Sequence, residues 1–305
     1  MKKLLVTGAS GLLGLNLCLD AAGSYEVTGL VNRHGLQGTP FRTVRADLSL
    51  PGEAARIIEA LRPDFVVHTA ALANLDACEQ NPLLSARLNA ELPGEIAEVC
   101  RRLGVRWVHI STDAVFDGAR GGYSEVDEPN PLGVYARDKL AGEKAAASDP
   151  RALIARVNFF GWSLTGARSL AEFFYYNLAA GKPVKGFTDV YFCPLLANHL
   201  GSILLEMLEK GMNGLYHVLS RECLSKYQFG VNLARRFGLD ESLIMPTSVH
   251  DSGLAARRSP NLTLRVDKLE AALGRTMPGQ AEEMDAFAKL WETGRPQQLK
   301  ALLEG

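Results

Sequence analysis

The sequence predicts an α/β fold with a doubly wound parallel sheet and a smaller, mixed lobe toward the C-terminus. Three observations carry that expectation. Short continuous apolar runs alternate with longer amphipathic ones through the first half of the chain. The first run leads directly into a turn of regularly spaced glycines, and the alternation loses its regularity after about Gly161.

KKLLVTG, YEVTGLVN, DFVVHTAA, VRWVHIST and RALIARVNFF read as strands, rich in Val, Ile and Leu and largely without polar alternation. Such runs suit strands buried on both faces of a parallel sheet. LLGLNLCLDAA, PGEAARIIEALR, LSARLNAELPGEIAEVCRRLG and VYARDKLAGEKAAA carry helical spacing between them. Strand and helix in this rhythm make βαβ units. Beyond Gly161, SLAEFFYYNLAAG, LGSILLEMLEKG and LSKYQFGVNLARRFG read as helices and GLYHVLS as a strand, while Leu239 to Pro278 is irregular. We expect residues 1–160, joined by segments of about 190–235, to form a dinucleotide-binding domain. Residues of about 161–189 and 236–305 then form a substrate-binding lobe.

At 305 residues the chain can bury roughly three quarters of the surface it exposes when unfolded. Its formal net charge of −1 lacks the basic footprint of a nucleic-acid binder. The pairs Arg101–Arg102 and Arg235–Arg236 end helical stretches near Gly104 and Gly238, where cations complement the helix dipole. No apolar run reaches membrane-spanning length, and Thr7, Gly8, Ser10 and Gly11 interrupt the signal-like start. The five cysteines, Cys18, Cys78, Cys100, Cys193 and Cys223, are odd in number and widely spread. They suggest neither a disulfide framework nor a zinc site, and a cytoplasmic location fits them. The six histidines show no metal-ligand spacing, and His68, His109 and His217 sit in or beside apolar strands as core or strand-end residues. The aromatic run FFYYN (Phe173–Asn177) reads as core or as a subunit interface, which allows a homodimer.

The turn TGASGLLG sets Gly8, Gly11 and Gly14 three residues apart, with Ser10 and Leu12 between them. Glycines there permit a tight turn and close backbone approach to a pyrophosphate, and the helix that follows offers free N–H groups. Directly after a strand and opening a helix, the triplet is in the context that makes it a dinucleotide site. At the end of the second strand, where an acid would bind an adenine ribose and select NAD, the chain reads Leu-Val-Asn-Arg-His. Arg33 suits a 2′-phosphate, so NADP(H) is favoured, with NAD(H) as the alternative. Asp47 and Leu48, after the third strand, are placed to hold the adenine.

TGASGLLG, HTAA (His68–Ala71), the Asn of LNA (Asn89), STDAVFDG (Ser111–Gly118) and PLGVYARDKLAGE (Pro131–Glu143) occur in the order of an extended short-chain dehydrogenase/reductase. Together with GLYHV, LSKYQFG and ARRSPNLTL, they make the chain resemble the dTDP-4-dehydrorhamnose reductase family along nearly its whole length. The resemblance implies a catalytic Thr112, Tyr135 and Lys139, with Ala70, Ala71 and Asn89 joining Tyr135 and Lys139 at the cofactor. It also implies Asp113, Asn158, Phe159 and Arg258 at a nucleotide-linked 4-keto-6-deoxysugar. The residue types suit the chemistry. Tyr135 and Lys139, four apart on a helix, share a face, and an ammonium beside a phenol lowers its pKa from about 10. Tyr135 is then the proton donor to a carbonyl that receives hydride, and Thr112 a second hydrogen-bond donor to the same oxygen.

Departures cluster around the presumed sugar site. Ala114 stands where the family has a Tyr after STD, and Phe159 where it often has a Trp, with Trp162 three residues on. Leu72 replaces a tyrosine after HTAA, and Phe192-Cys193-Pro194-Leu195 replaces a Gly-x-Pro-Thr segment. These changes bear on which sugar is bound rather than on the triad. Two alternatives follow from the same resemblance. One is a non-catalytic NADP-binding regulatory subunit of the methionine adenosyltransferase beta type. The other is an epimerase or similar sugar-nucleotide enzyme; a dehydratase would carry an Asp-Glu pair after the Thr, which Asp113-Ala114 lacks.

Overall fold

The computed structural model describes residues 1–32, 35–251 and 259–303. Arg33 and Arg258, two of the expected ligand-binding residues, lie outside the described residues. The first half alternates as expected through β1 (Lys3–Thr7), α1 (Leu12–Ala21), β2 (Glu26–Val31), β3 (Arg42–Arg45), α2 (Glu53–Leu61) and β4 (Phe65–His68). It continues through α3 (Leu75–Gln80), α4 (Pro82–Ala86), α5 (Leu92–Leu103), β5 (Arg106–Thr112), α6 (Val134–Ala146) and β6 (Leu153–Val157). The stretch expected as one helix from Leu84 to Gly104 is interrupted by a π-helical turn, Arg87–Glu91, between α4 and α5. Gly104, in the left-handed region at φ 75°, ends α5 just after Arg101 and Arg102.

The remainder runs β7 (Phe159–Phe160), α7 (Leu170–Ala179), β8 (Val184–Phe187), β9 (Tyr191–Phe192), β10 (Leu195–Leu196), α8 (Ala197–Glu209) and β11 (Gly214–Val218). Then come β12 (Leu224–Ser225), α9 (Lys226–Phe237), β13 (Ile244–Thr247), β14 (Asn261–Leu262), α10 (Asp267–Leu273), α11 (Gln280–Glu292) and α12 (Arg295–Ala301). Seven strands form the main sheet in the order β11-β6-β5-β4-β1-β2-β3. Every pairing in it is parallel.

Continuous apolar strands are explained by what lies on each face. Side chains alternate along a strand, so Leu4 and Val6 pack into one buried cluster with α1 and α8 residues such as Leu15 and Leu204. Leu5, between them, packs with Ile57 and Ile96 on the other face. Strand order reverses between β1 and β4, and ligands of such sheets bind outside the carboxyl ends of the strands at that point.

One expectation is overturned. Cys193 and Cys223 form a disulfide across a separation of 30 residues. Cysteine spacing could not show this, because the partners meet only through tertiary pairing. β9 and β12 run antiparallel with Phe192 opposite Leu224, so the next residue on one strand faces the preceding residue on the other. Cys18, Cys78 and Cys100 are free and buried. Among the described residues no helix is long and apolar enough to cross a membrane.

Candidate active site

Three adjoining clefts lie along the carboxyl ends of the central strands. The first is lined by Gly8, Ser10, Gly11, Asn32, Leu48, Ala70 and Ala71, among others. Its geometry depends on glycine. Gly8 sits at φ 69°, and a Cβ there would lie 2.9 Å from the Ala70 backbone. A Cβ on Gly14 would come within 2.4 Å of the Gly8 carbonyl, so both positions close the turn against its own backbone. No side chain caps α1 at Gly11, which leaves the helix's first N–H groups for an anion. These features fit a dinucleotide pyrophosphate.

The other expected cofactor residues divide by role. Leu48 lines the cleft. Asp47 accepts from Ser49 N at 3.1 Å and Ser49 Oγ at 2.7 Å, and from Asn32 Nδ2 at 3.4 Å. Leu12 turns its side chain toward Gly161. Asn89 is fully buried in the π-helical turn, accepting from Leu72 N at 3.1 Å and donating to Leu72 O at 3.0 Å. Its amide therefore shapes the loop that carries Ala70 and Ala71.

The second cleft joins the first through Thr69 and Ala71 and brings together Thr112, Asp113, Tyr135, Lys139, Asn158 and Phe159. β5 delivers Thr112 and α6 delivers Tyr135 and Lys139. Two devices press α6 onto the sheet. Gly142 packs so closely on the π-helical turn that a Cβ would lie 2.2 Å from Asn89 O. One helical turn beyond Lys139, the buried Glu143 accepts from Arg156 of β6 through two bonds of 2.9 and 2.8 Å, and from Ser111 Oγ of β5 at 2.5 Å. The buried pair is fully hydrogen-bonded on the carboxylate side, the condition under which burial of charge is tolerated.

Protonation is set by this burial. Lys139 Nζ donates to Ile110 O at 2.5 Å and lies 3.3 Å from His109 Nε2. Desolvation lowers its pKa to about 8, against the opposing pull of Glu143. Burial raises the Tyr135 phenol well above its ordinary value, with Asp113 adding to the rise and the hydrogen-bonded Thr112 hydroxyl opposing it. The Lys139 ammonium is turned to β5, toward Ile110 O and His109. Asp113 is raised to about 6, chiefly by burial, while Asn158, Thr112 and Lys226 pull it down. Asn158 Nδ2 donates to it at 2.6 Å and Thr112 Oγ1 at 3.1 Å.

The third cleft, about 520 Å³, shares Asp113, Tyr135 and Asn158 with the second and opens toward solvent. Ala114, Tyr191, Phe192, Lys226 and Leu262 contribute to its walls. At position 114, where the family has a Tyr, the wall is the small Ala114, and the cleft's aromatic side chains include Tyr191 and Phe192 of β9. Trp162 is no part of it: it is fully buried, stacked on Phe287 at 4.2 Å between centroids.

Sequence reasoning missed Arg168 in the first cleft, Lys226 in the third, and the Glu143–Arg156 pair behind the second. Glu143 and Lys226 stood inside quoted motifs, but only the fold shows what they face. His109 was expected as a core residue; it is buried, and it also meets Lys139.

A seven-stranded parallel sheet with this strand order, a glycine turn at its switch point and a Thr–Tyr–Lys group beside it define an extended short-chain dehydrogenase/reductase architecture. More particularly, the chain belongs to the RmlD substrate binding domain family, whose model matches residues 1–292. It is 32% identical over 289 residues to a probable low-salt glycan biosynthesis reductase, Agl14, of Haloferax volcanii, covering 92% of this chain and 96% of that one. A dTDP-4-dehydrorhamnose reductase of Mycobacterium tuberculosis is 32% identical over 255 residues, 81% of this chain and 79% of the relative. A crystal structure of a hypothetical dTDP-4-dehydrorhamnose reductase from Sulfolobus tokodaii superposes with a TM-score of 0.82 at 30% identity, covering 93% and 98% of the two chains.

Proposed function

We propose that the protein is an NADP(H)-dependent reductase of a nucleotide-linked 4-keto-6-deoxysugar, with NAD(H) as the second carrier to test. The observation that carries this reading is the continuity of the three clefts. Tyr135, Asp113 and Asn158 face both the inner cleft and the 520 Å³ outer one, while Thr69 and Ala71 join the inner cleft to the glycine turn. A dinucleotide lying along the first two clefts supplies hydride at the second, next to whatever carbonyl enters from the third. The reductase names of the relatives support the same class of reaction.

Within it, Tyr135 is the proton donor to the carbonyl oxygen and Thr112 the second hydrogen-bond donor. A phenol, with an ordinary pKa of about 10, is protonated at neutral pH, the state in which Tyr135 can donate. Lys139 has two of its donors tied to β5 and keeps its charge near the cofactor ribose; Glu143 and Arg156 hold the helix that carries it. Asp113 and Asn158 are the sugar contacts, and Phe159 closes the inner cleft. We take residues 1–160 with about 190–235 as the cofactor-binding part and the remaining segments as the substrate lobe. Pairing into a homodimer belongs to the same proposal; the expectation of a cytoplasmic location rests on unpaired cysteines, and the Cys193–Cys223 bond removes that support.

Purified protein should oxidise NADPH when given a panel of 4-keto-6-deoxy nucleotide sugars, and should do so for at least one of them. Tight NADPH binding without turnover on any of them would instead fit a regulatory subunit. Interconversion of sugars without net cofactor oxidation would fit an epimerase.

A further inference from the structure

The loop between β7 and α7 lies across the start of α1, although more than 140 residues separate them in sequence. Asn16 of α1, fully buried, donates from Nδ2 to Trp162 O at 2.9 Å, and Gly161 packs against the Leu12 side chain. Both anchors lie within about a turn and a half of Gly11. At the other end of the loop Glu172 of α7 is 1% exposed. Its carboxylate accepts from Ser163 N at 2.6 Å, Ser163 Oγ at 2.8 Å, Arg168 N at 2.9 Å and Ser169 N at 3.2 Å. Ser169 Oγ in turn accepts from Glu172 N at 3.2 Å and closes a capping box.

A buried carboxylate is costly to retain unless its oxygens are filled by donors. Here the donors are successive groups of one loop, so Glu172 fixes the loop's path. What that path presents is Arg168. Its backbone is held by Glu172, and its exposed side chain lines the first cleft together with Gly8, Ser10 and Gly11. No carboxylate forms a salt bridge with it among the described residues. The glycine turn itself brings N–H groups to this cleft but no cationic side chain.

The geometry points to Arg168 as a binding residue for the diphosphate of the dinucleotide, delivered from outside the glycine turn and pre-organised by Glu172. A guanidinium matches phosphate oxygens in two-point fashion, so it neutralises charge that the backbone N–H groups only polarise. The inference rests on the dinucleotide reading of the first cleft but not on catalysis at Tyr135. The diphosphate is favoured over the 2′-phosphate because the loop's anchors lie beside Gly11, whereas the position expected to meet a 2′-phosphate follows β2.

The test is binding, read by fluorescence or calorimetry on the full chain with three probes. NADPH carries both groups, ADP-ribose only the diphosphate, and 2′-AMP only the 2′-phosphate. Arg168→Ala should weaken NADPH and ADP-ribose about tenfold or more and leave 2′-AMP unchanged, with Arg168→Lys between the two. Because Arg168 is exposed, both variants should melt as the wild type does. Unchanged NADPH and ADP-ribose affinities in Arg168→Ala would overturn the proposal, as would a loss confined to ligands carrying the 2′-phosphate. Wild-type protein that binds none of the three would remove the dinucleotide site, and this proposal with it, whatever the turnover assay shows.

Discussion

Two ionisable groups in the inner cleft are held against their ordinary preferences. Lys139 is 3% exposed, with a pKa lowered from 10.5 to about 8. Between those two pH values the unfolded chain binds more protons, so this group's contribution to stability rises with pH there and is unfavourable below pH 8. At 1.36 kcal/mol per pH unit the cost approaches about 3 kcal/mol. Lys139→Met should therefore raise the melting temperature at pH 7 and lose that advantage as pH climbs past 10, while weakening cofactor binding; thermal melts across pH would check it. Asp113 moves in the opposite sense, from 3.8 to about 6. There the folded state binds more protons, so its contribution falls as pH rises from about 4 to 6 and stays low above. Asp113→Asn should be more stable than wild type at pH 7, by up to about 3 kcal/mol, and about equally stable at pH 3.5. If Asp113 holds the sugar, KM should rise in the same variant. That Thr112, Tyr135 and Lys139 would meet in one cleft was legible in the sequence, because YxxxK and STD lie in local motifs. Their protonation was not, since burial and the turn of Lys139 toward Ile110 depend on strands far away in the chain.

At the level of elements, α6 is placed by close approach and by one buried ion pair. Gly142 has an ordinary helical backbone; it is required by the Asn89 carbonyl against which a Cβ would press at 2.2 Å. Gly142→Ala should consequently do the reverse of what alanine does in an open helix. Instead of a gain of roughly 1 kcal/mol, we expect a loss of about 2–3 kcal/mol with reduced turnover, because α6 must lift away from the π-helical turn. Denaturant titration would measure the sign directly. Strands buried on both faces were legible as unbroken Val/Ile/Leu runs, and so were the helix ends at Gly104 and Gly238. The π-helical turn was not, because its helical periodicity continues on both sides. The Cys193–Cys223 bond was hidden for a different reason: β9 and β12 are two residues each, too short to announce an antiparallel pairing.

For the whole molecule, the sheet order places the switch point between β1 and β4, and the three clefts follow from it. The cofactor end was legible because one contiguous turn builds it. The outer cleft was legible only as a list of departures from a family pattern. Its walls join β9, α9 and β14 to α3 and the start of α6, elements far apart in the chain, and Lys226 became visible as a wall residue only there. At the junction of these clefts, in the proposed reaction, Tyr135 donates a proton to the carbonyl being reduced. The most direct test of that step is the turnover of Tyr135→Phe with NADPH and whichever keto-sugar the wild type reduces, with NADPH affinity measured alongside. The expected result is a kcat lower by roughly 10²–10⁴-fold with NADPH affinity within a few-fold of wild type. A Tyr135→Phe variant that turns over at the wild-type rate would contradict it.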